Sequence, residues 1–142
     1  LRPEMATVPL PLRHRLVVRG IKRMFADPSR LPDPWYDAAA DEFLRVFKTP
    51  RGRIAFFSAA RQIYLEQPYG DTGFWDRLPR LSRPALFVWG EKDRLVPWRF
   101  APYMERALPE AGSVVLPDCG HVPQYELPEE THWVIRGFLG AG

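Results

Sequence analysis

Apolar residues recur at helical spacing through the first half of the chain and gather into short continuous runs in the second. From Leu12 to Phe25 they fall at 12, 16, 17, 21, 24 and 25, while Arg13, His14, Arg15, Arg19, Lys22 and Arg23 take the other face. That spacing predicts a basic amphipathic helix. After the loop Asp27 to Pro34, Asp33 is the expected cap of a helix with Pro34 at its first position, running to about Phe47. Its expected buried side is Trp35, Ala38, Ala39, Phe43, Val46 and Phe47. Thr49-Pro50 opens the next helix, in which Ile54, Phe57, Ser58, Arg61, Ile63, Tyr64 and Leu65 carry the pattern to about Gln67. A turn over Pro68-Tyr69-Gly70-Asp71 precedes a short helix from Phe74 to Leu78, and residues 2–11, with Pro3, Pro9 and Pro11, read as an irregular lead-in.

The second half changes period. Pro84-Ala85-Leu86-Phe87-Val88-Trp89, closed by Gly90, and Ser113-Val114-Val115-Leu116, stopped by Pro117-Asp118-Cys119-Gly120, read as strands buried on both faces of a parallel sheet. Between them, apolar residues at 98, 100, 101, 104, 107 and 108 lie at helical spacing, opened by Pro97 and shut by Pro109. A last helix starts at Pro128-Glu129-Glu130, carries Trp133, Val134, Phe138 and Leu139 on one face, and ends at Gly140. Residues 7–80 are therefore expected to be all-helical and 84–142 to alternate strand and helix, which divides the chain into a helical region, 1–80, and a strand-bearing region, 81–142.

Composition adds bounds. With 46% hydrophobic residues in 142, the chain can bury a core, which argues against disorder. Residues 1–30 carry seven Lys or Arg against two acids, a local charge of +5, so the remainder sums to −2 of the overall +3. The plain reading of the basic face is a solvated side of a packed helix. A lid helix resting on an anionic lipid surface is the functional alternative, and a nucleic-acid patch is set aside because no recognised module accompanies the charge. The single cysteine excludes an internal disulfide, and with no 18-residue apolar run and no secretory leader the expected compartment is the cytosol. A start at Leu1 suits a fragment or trimmed chain. No His/Cys/Asp/Glu cluster has metal-ligand spacing, so neither metal nor cofactor is implied.

The candidate chemistry lies at the strand ends. Asp93 follows the first strand within four residues and His121 follows the turn after the second. A crossover of this kind makes the strands parallel, so both residues emerge at one sheet edge, where ligands bind in open α/β sheets. They read as the acid and the base of a triad. The plainer alternatives are a turn or cap carboxylate for Asp93 and a turn histidine bonded to a carbonyl for His121. Asp118, then Glu91 and Glu126, are rival acids, and Cys119, two residues from His121, is expected to be inert filler.

The run Gly90-Glu91-Lys92-Asp93-Arg94-Leu95-Val96-Pro97, the 28-residue step from Asp93 to His121, and Glu126-Leu127-Pro128-Glu129 together resemble the C-terminal part of an α/β-hydrolase-fold enzyme. The resemblance implies an α/β architecture preceded by a helical cap, and a nucleophile–Asp–His triad acting on an ester, epoxide or related apolar small molecule. Asp93 would orient the imidazolium and His121 would be the general base. Leu95 and Val122 would line the pocket, with the cap aromatics Trp35, Tyr36, Phe57 and Tyr64 as further candidates. In that fold the nucleophile precedes the acid on a Gly-x-Ser-x-Gly-like elbow, and none of Ser29, Ser58, Ser82 and Ser113 has that setting. The expectation is a chain carrying acid and base alone and inactive by itself. The alternative is a non-catalytic fragment or interaction module, paired with a complementing N-terminal half or with itself through an open sheet edge.

Overall fold

The computed structural model describes residues 11–71 and 73–140, so residues 2–10 of the expected lead-in lie outside the described part. Two compact units divide the chain. The first comprises the described residues up to Ile21 together with Pro32–Asp76, and the second Lys22–Leu31 together with Arg77 onward. The segment 22–31 therefore belongs with the strand-bearing residues, and a single boundary at residue 80 does not describe the division.

In the first unit, α1 spans His14–Lys22 and buries no residue, leaving Leu12 38% and Leu16 54% exposed. His14 Nε2 lies 3.3 Å from Asp41 Oδ1. The helix stops short of the expected Phe25 because the backbone beyond it bonds elsewhere, as the site shows. Helix α2 covers Asp33–Phe47, and its cap is Pro32, not Asp33, with the Trp35 amide donating to the Pro32 carbonyl at 2.9 Å. Asp33 falls in the first turn, where its charge still favours the helix dipole. The buried stripe is Tyr36, Ala40, Leu44 and Phe47, about one position round from the expected one, with Ala38 and Val46 exposed. Two adjacent apolar stripes, about 100° apart on a helix, were both available, and packing selected the second.

Helix α3, Pro50–Leu65, starts as expected. The Thr49 side chain accepts from the Gly52 amide at 3.0 Å and donates to the Val46 carbonyl at 2.8 Å. Phe56 and Phe57 meet Phe47 edge-on at 5.5 and 5.9 Å between centroids. Arg53, buried, donates to the Phe47 and Lys48 carbonyls at 3.3 and 2.6 Å, satisfying acceptors the end of α2 leaves open. The rest of the expected pattern does not hold. Ile54, Ile63, Tyr64 and Leu65 are exposed, and α3 ends before Gln67. A four-residue helix α4, Phe74–Arg77, runs through a 3-10 turn at Leu78–Arg80 toward the sheet.

The second unit is a strand–helix–strand–helix arrangement. Strand β1, Leu86–Gly90, is followed by a 3-10 turn at Trp98–Phe100, α5 at Ala101–Ala107 and β2 at Gly112–Leu116. Two helices close the chain: α6, Pro123–Glu126, which the periodicity did not announce, and α7, Pro128–Leu139, ended by Gly140 at φ +70°. The strands pair in parallel from Leu86 opposite Gly112 to Gly90 opposite Leu116. Pro84 and Ala85 stay outside β1, but the Ala85 carbonyl accepts from the Gly112 amide at 2.9 Å. Leu116, Cys119 and Val134 form the core with Leu86, Val88, Val114 and Leu127 around them. Burial on both sheet faces is not reached: β1 is half-buried except at Gly90, and Val115 is exposed. On α7 the buried residues are Thr131 and Val134, while Trp133, Phe138 and Leu139 face outward. Among the described residues no helix is long and apolar enough to cross a membrane.

Candidate active site

Parallel pairing in register places the C-terminal ends of β1 and β2 side by side, and the loops beyond them continue to bond. The Glu91 amide donates to the Leu116 carbonyl at 3.0 Å and the Lys92 amide to the Cys119 carbonyl at 2.8 Å. A Cβ on Gly90 would lie 2.0 Å from the Gly120 carbonyl oxygen, so glycine is what permits this approach. Asp93 then turns back, its amide donating to Gly90 at 3.1 Å. Its Oδ1 accepts from the Leu95 and Val96 amides at 2.7 and 3.0 Å, and its Oδ2 faces His121 Nδ1 at 2.8 Å. The turn-former and the partner of His121 are thus one residue, each contact taking one oxygen.

The Asp93 side chain is 8% exposed and that of His121 33%. Burial works to raise the Asp93 carboxyl, but the Val96 amide, the His121 ring and the Leu95 amide outweigh it and hold the carboxyl below its ordinary value. It is therefore ionised near neutrality, and an ionised carboxylate can only accept. The proton of a neutral His121 must accordingly sit on Nδ1, leaving Nε2 as the basic nitrogen. Nε2 has no hydrogen bond to a serine or cysteine among the described residues. The arrangement can take a proton at Nε2 and stabilise the resulting imidazolium.

The loop bearing His121 is held by a segment far away in sequence. The His121 amide donates to the Met24 carbonyl at 2.7 Å. Glu126, whose side chain is fully buried, accepts from the Gly120 amide at 2.8 Å through Oε1 and from the Ala26 amide at 2.7 Å through Oε2. Arg30 lies 3.7 Å from Glu126 Oε2 and donates to the Asp118 carbonyl and carboxylate at 2.9 and 2.6 Å. These contacts explain why α1 ends early: Met24 and Ala26 bond to the histidine loop in place of a helical ladder. The only sequence hint of them was Gly120, whose absent Cβ would meet the Met24 carbonyl at 2.4 Å.

Each rival acid is occupied. Asp118, at φ +55°, accepts from Arg30 and, at 2.5 Å, from Lys92. Glu91 accepts from the Asp118 amide at 3.1 Å, and Glu126 from the two amides above. Cys119 is buried, and burial, reinforced by Glu126, pushes its thiol up to about 11, the wrong direction for a nucleophile. Leu95 and Val122 sit beside the pair in sequence, Leu95 58% exposed and Val122 half-buried. Trp35, half-buried, and Tyr64, 86% exposed, belong to the other unit. The same unit holds Phe57, half-buried, and Tyr36, which is fully buried. No group of three His, Cys, Asp or Glu positioned to hold a metal occurs among the described residues.

Known proteins resemble this chain in sequence and in fold. The profile of the alpha/beta hydrolase fold family matches residues 4–128. The dihydrolipoyllysine-residue acetyltransferase component of the acetoin cleaving system of Pseudomonas putida is 39% identical over 82 residues, which are 57% of this chain and 21% of that protein. A 2-hydroxy-6-oxononadienedioate/2-hydroxy-6-oxononatrienedioate hydrolase of Dechloromonas aromatica is 27% identical over 126 residues, 86% of this chain and 41% of its own length. Among solved structures, the 2-hydroxy-6-oxo-6-phenylhexa-2,4-dienoate hydrolase of Rhodococcus sp. strain RHA1 superposes with a TM-score of 0.69 at 25% identity, covering 91% of this chain and 45% of that one. The chain spans less than half the length of each of these three proteins.

Proposed function

Because this chain belongs to the α/β-hydrolase-fold family, we propose that it supplies the acid, Asp93, and the general base, His121, of a nucleophile–Asp–His hydrolase. The observation that carries this reading is the 2.8 Å contact between His121 Nδ1 and Asp93 Oδ2 at adjacent strand ends. His121 Nε2 takes the proton of a nucleophile and returns it to the leaving group, then activates the water that releases the bound fragment. Asp93 holds the ring in the productive tautomer. The nucleophile and oxyanion hole come from outside residues 1–142, since no elbow sequence occurs in them. The names of the relatives favour a 2-hydroxy-6-oxo-dienoate or an ester as substrate over an epoxide. The acetyltransferase name among them is a reminder that fold does not fix the reaction. Leu95 and Val122 are proposed to contact the apolar substrate.

The test is to assay the purified chain against p-nitrophenyl esters, an epoxide and a 2-hydroxy-6-oxo-dienoate, beside His121→Ala. The expected result is no turnover from either. Turnover lost in His121→Ala would show that a nucleophile lies within the chain, with Ser58 and Cys119 the first to replace. A second reading rests on the sheet, which has two strands among the described residues, fewer than an independent sheet usually needs. On that reading the chain pairs through its edge with a complementing segment or a second copy. Light scattering decides it: a monodisperse, active monomer would sink the idea.

A further inference from the structure

The mechanism proposed above uses Asp93 and His121 but leaves unexplained a fully buried carboxylate five residues beyond the histidine. Glu126 lies on α6, where its own amide donates to the Val122 carbonyl at 3.0 Å. Its two oxygens divide between two stretches of backbone that are remote in sequence: Oε1 takes the Gly120 amide at 2.8 Å and Oε2 the Ala26 amide at 2.7 Å. Arg30 faces Oε2 at 3.7 Å, the one cation beside the carboxylate among the contacts described.

The geometry points to Glu126 as the positioning residue of the acid–base pair, acting through Gly120. This rests on the reading of Asp93 and His121 as that pair. Two consecutive amides, Gly120 and His121, are each fixed, one by Glu126 and the next by the Met24 carbonyl at 2.7 Å. The Ala26 amide, held by the other oxygen of Glu126, locks the segment that carries Met24. Glu126 thus closes a ring: it sets the peptide before His121 and also sets the strap that sets the peptide of His121. With both flanking hydrogen bonds fixed, the Cα–Cβ direction of His121 is determined, and the ring meets Asp93 at 2.8 Å. A side chain with two acceptor oxygens suits this place because both partners are donors and the side chain has no solvent to replace either bond. A glutamine would present one acceptor and one amine, and the amine would confront an N–H. Gly120 belongs to the same device, since a Cβ there would lie 2.6 Å from Glu126 Oε1.

The test is proton NMR of the purified protein, reading the downfield line of the Nδ1 proton held between His121 and Asp93, assigned by its disappearance in His121→Ala. Absence of that line from the unsubstituted protein overturns the pairing of Asp93 with His121 and this inference with it. With the line present, Glu126→Gln is expected to abolish it while the far-ultraviolet circular dichroism stays that of the parent. Asp118→Asn, which removes the carboxylate charge facing Arg30 and Lys92, is expected to keep it. A Glu126→Gln protein that retains the line overturns the inference and leaves the pair standing, and loss of the line in Asp118→Asn as well overturns the assignment to Glu126. Should Glu126→Gln not fold, the unsubstituted protein decides on warming. The line is expected to vanish together with the slow exchange of the Gly120 and Ala26 amides, and a line that outlasts their protection overturns the inference.

Discussion

Replacing Asp93 by asparagine separates its two roles. The asparagine oxygen can keep the Leu95 and Val96 amides, at 2.7 and 3.0 Å in the parent, so the turn survives. What is lost is the charged contact with His121 at 2.8 Å, where an amine now faces Nδ1. A hydrogen bond to a charged group contributes about 1.5–3 kcal/mol. With a urea dependence of about 2 kcal/mol per molar, that moves the unfolding midpoint down by about 1 M. The pH dependence fixes the sign. The carboxyl is held below its ordinary value in the folded chain, against the pull of burial, by Val96, His121 and Leu95. Its stabilisation is therefore fully present above the unfolded carboxyl value of about 3.9 and is lost as pH falls through the lower folded value. Urea unfolding of both proteins, followed by circular dichroism at neutral pH and in steps below about pH 4, should show a gap that is widest at neutrality and closes on acidification. Where turnover is measurable in the assembled enzyme, the same substitution should cost about 10⁴-fold in kcat through the wrong tautomer. Equal midpoints at neutral pH, or a gap that widens toward acid, refute the account.

The thiol of Cys119, buried and pushed up to about 11, should react with a chromogenic disulfide at least about 10²-fold more slowly than free cysteine in the folded protein and at full speed in urea. Rapid stoichiometric labelling of the native chain would contradict its burial. Gly90→Ala drives a Cβ to 2.0 Å from the Gly120 carbonyl and should destabilise by about 1–3 kcal/mol, read as a lowered Tm. Gly137→Ala, within α7 with open space around it, should instead gain up to about 1 kcal/mol, and equal effects at the two glycines would show that the approach of the two loops is not as described.

The contact between Asp93 and His121 was legible because each half of it is a local pattern: a short apolar run, turn residues, then a titratable side chain. Parallel pairing is what turns two local patterns into one site, and the strand–helix–strand order predicted it. The strap under the histidine was not legible. Its bonds join residues 88 to 100 positions apart, from Arg30 to Asp118 and from Ala26 to Glu126, and periodicity carries no information at that range. The run of apolar positions to Phe25 even argued against it, since continuing the helix would have satisfied Met24 and Ala26 locally. The helix faces failed for another reason. Trp35 and Tyr36 are neighbours of similar apolarity, and a shift of one position moves the stripe by about 100° without changing its periodicity, while in α7 only Val134 of the expected face is buried. In α7 the polar Thr131 went inside while Trp133 stayed 78% exposed, a choice made by what surrounds the helix and not by its own composition.

Why Asp93, of four carboxylates near His121, became its partner follows from counting acceptors against donors and from where each stands. Loops leaving parallel strands carry amides that the ladder no longer satisfies, and near a packed core those amides need acceptors. Glu91 takes the Asp118 amide, and Glu126 takes those of Gly120 and Ala26. Asp118 is drawn outward to Arg30 and Lys92. Asp93 meets its own local demand with one oxygen, because Leu95 and Val96 converge on Oδ1 alone, and so keeps Oδ2 for the imidazole. Glu91 likewise spends one oxygen, Oε2, on an amide, so a spare oxygen is necessary but not sufficient, and what Asp93 adds is its place, with Oδ2 at 2.8 Å from the imidazole. Position at the end of β1, next to the end of β2, decides for Asp93 where proximity in sequence alone would favour Asp118.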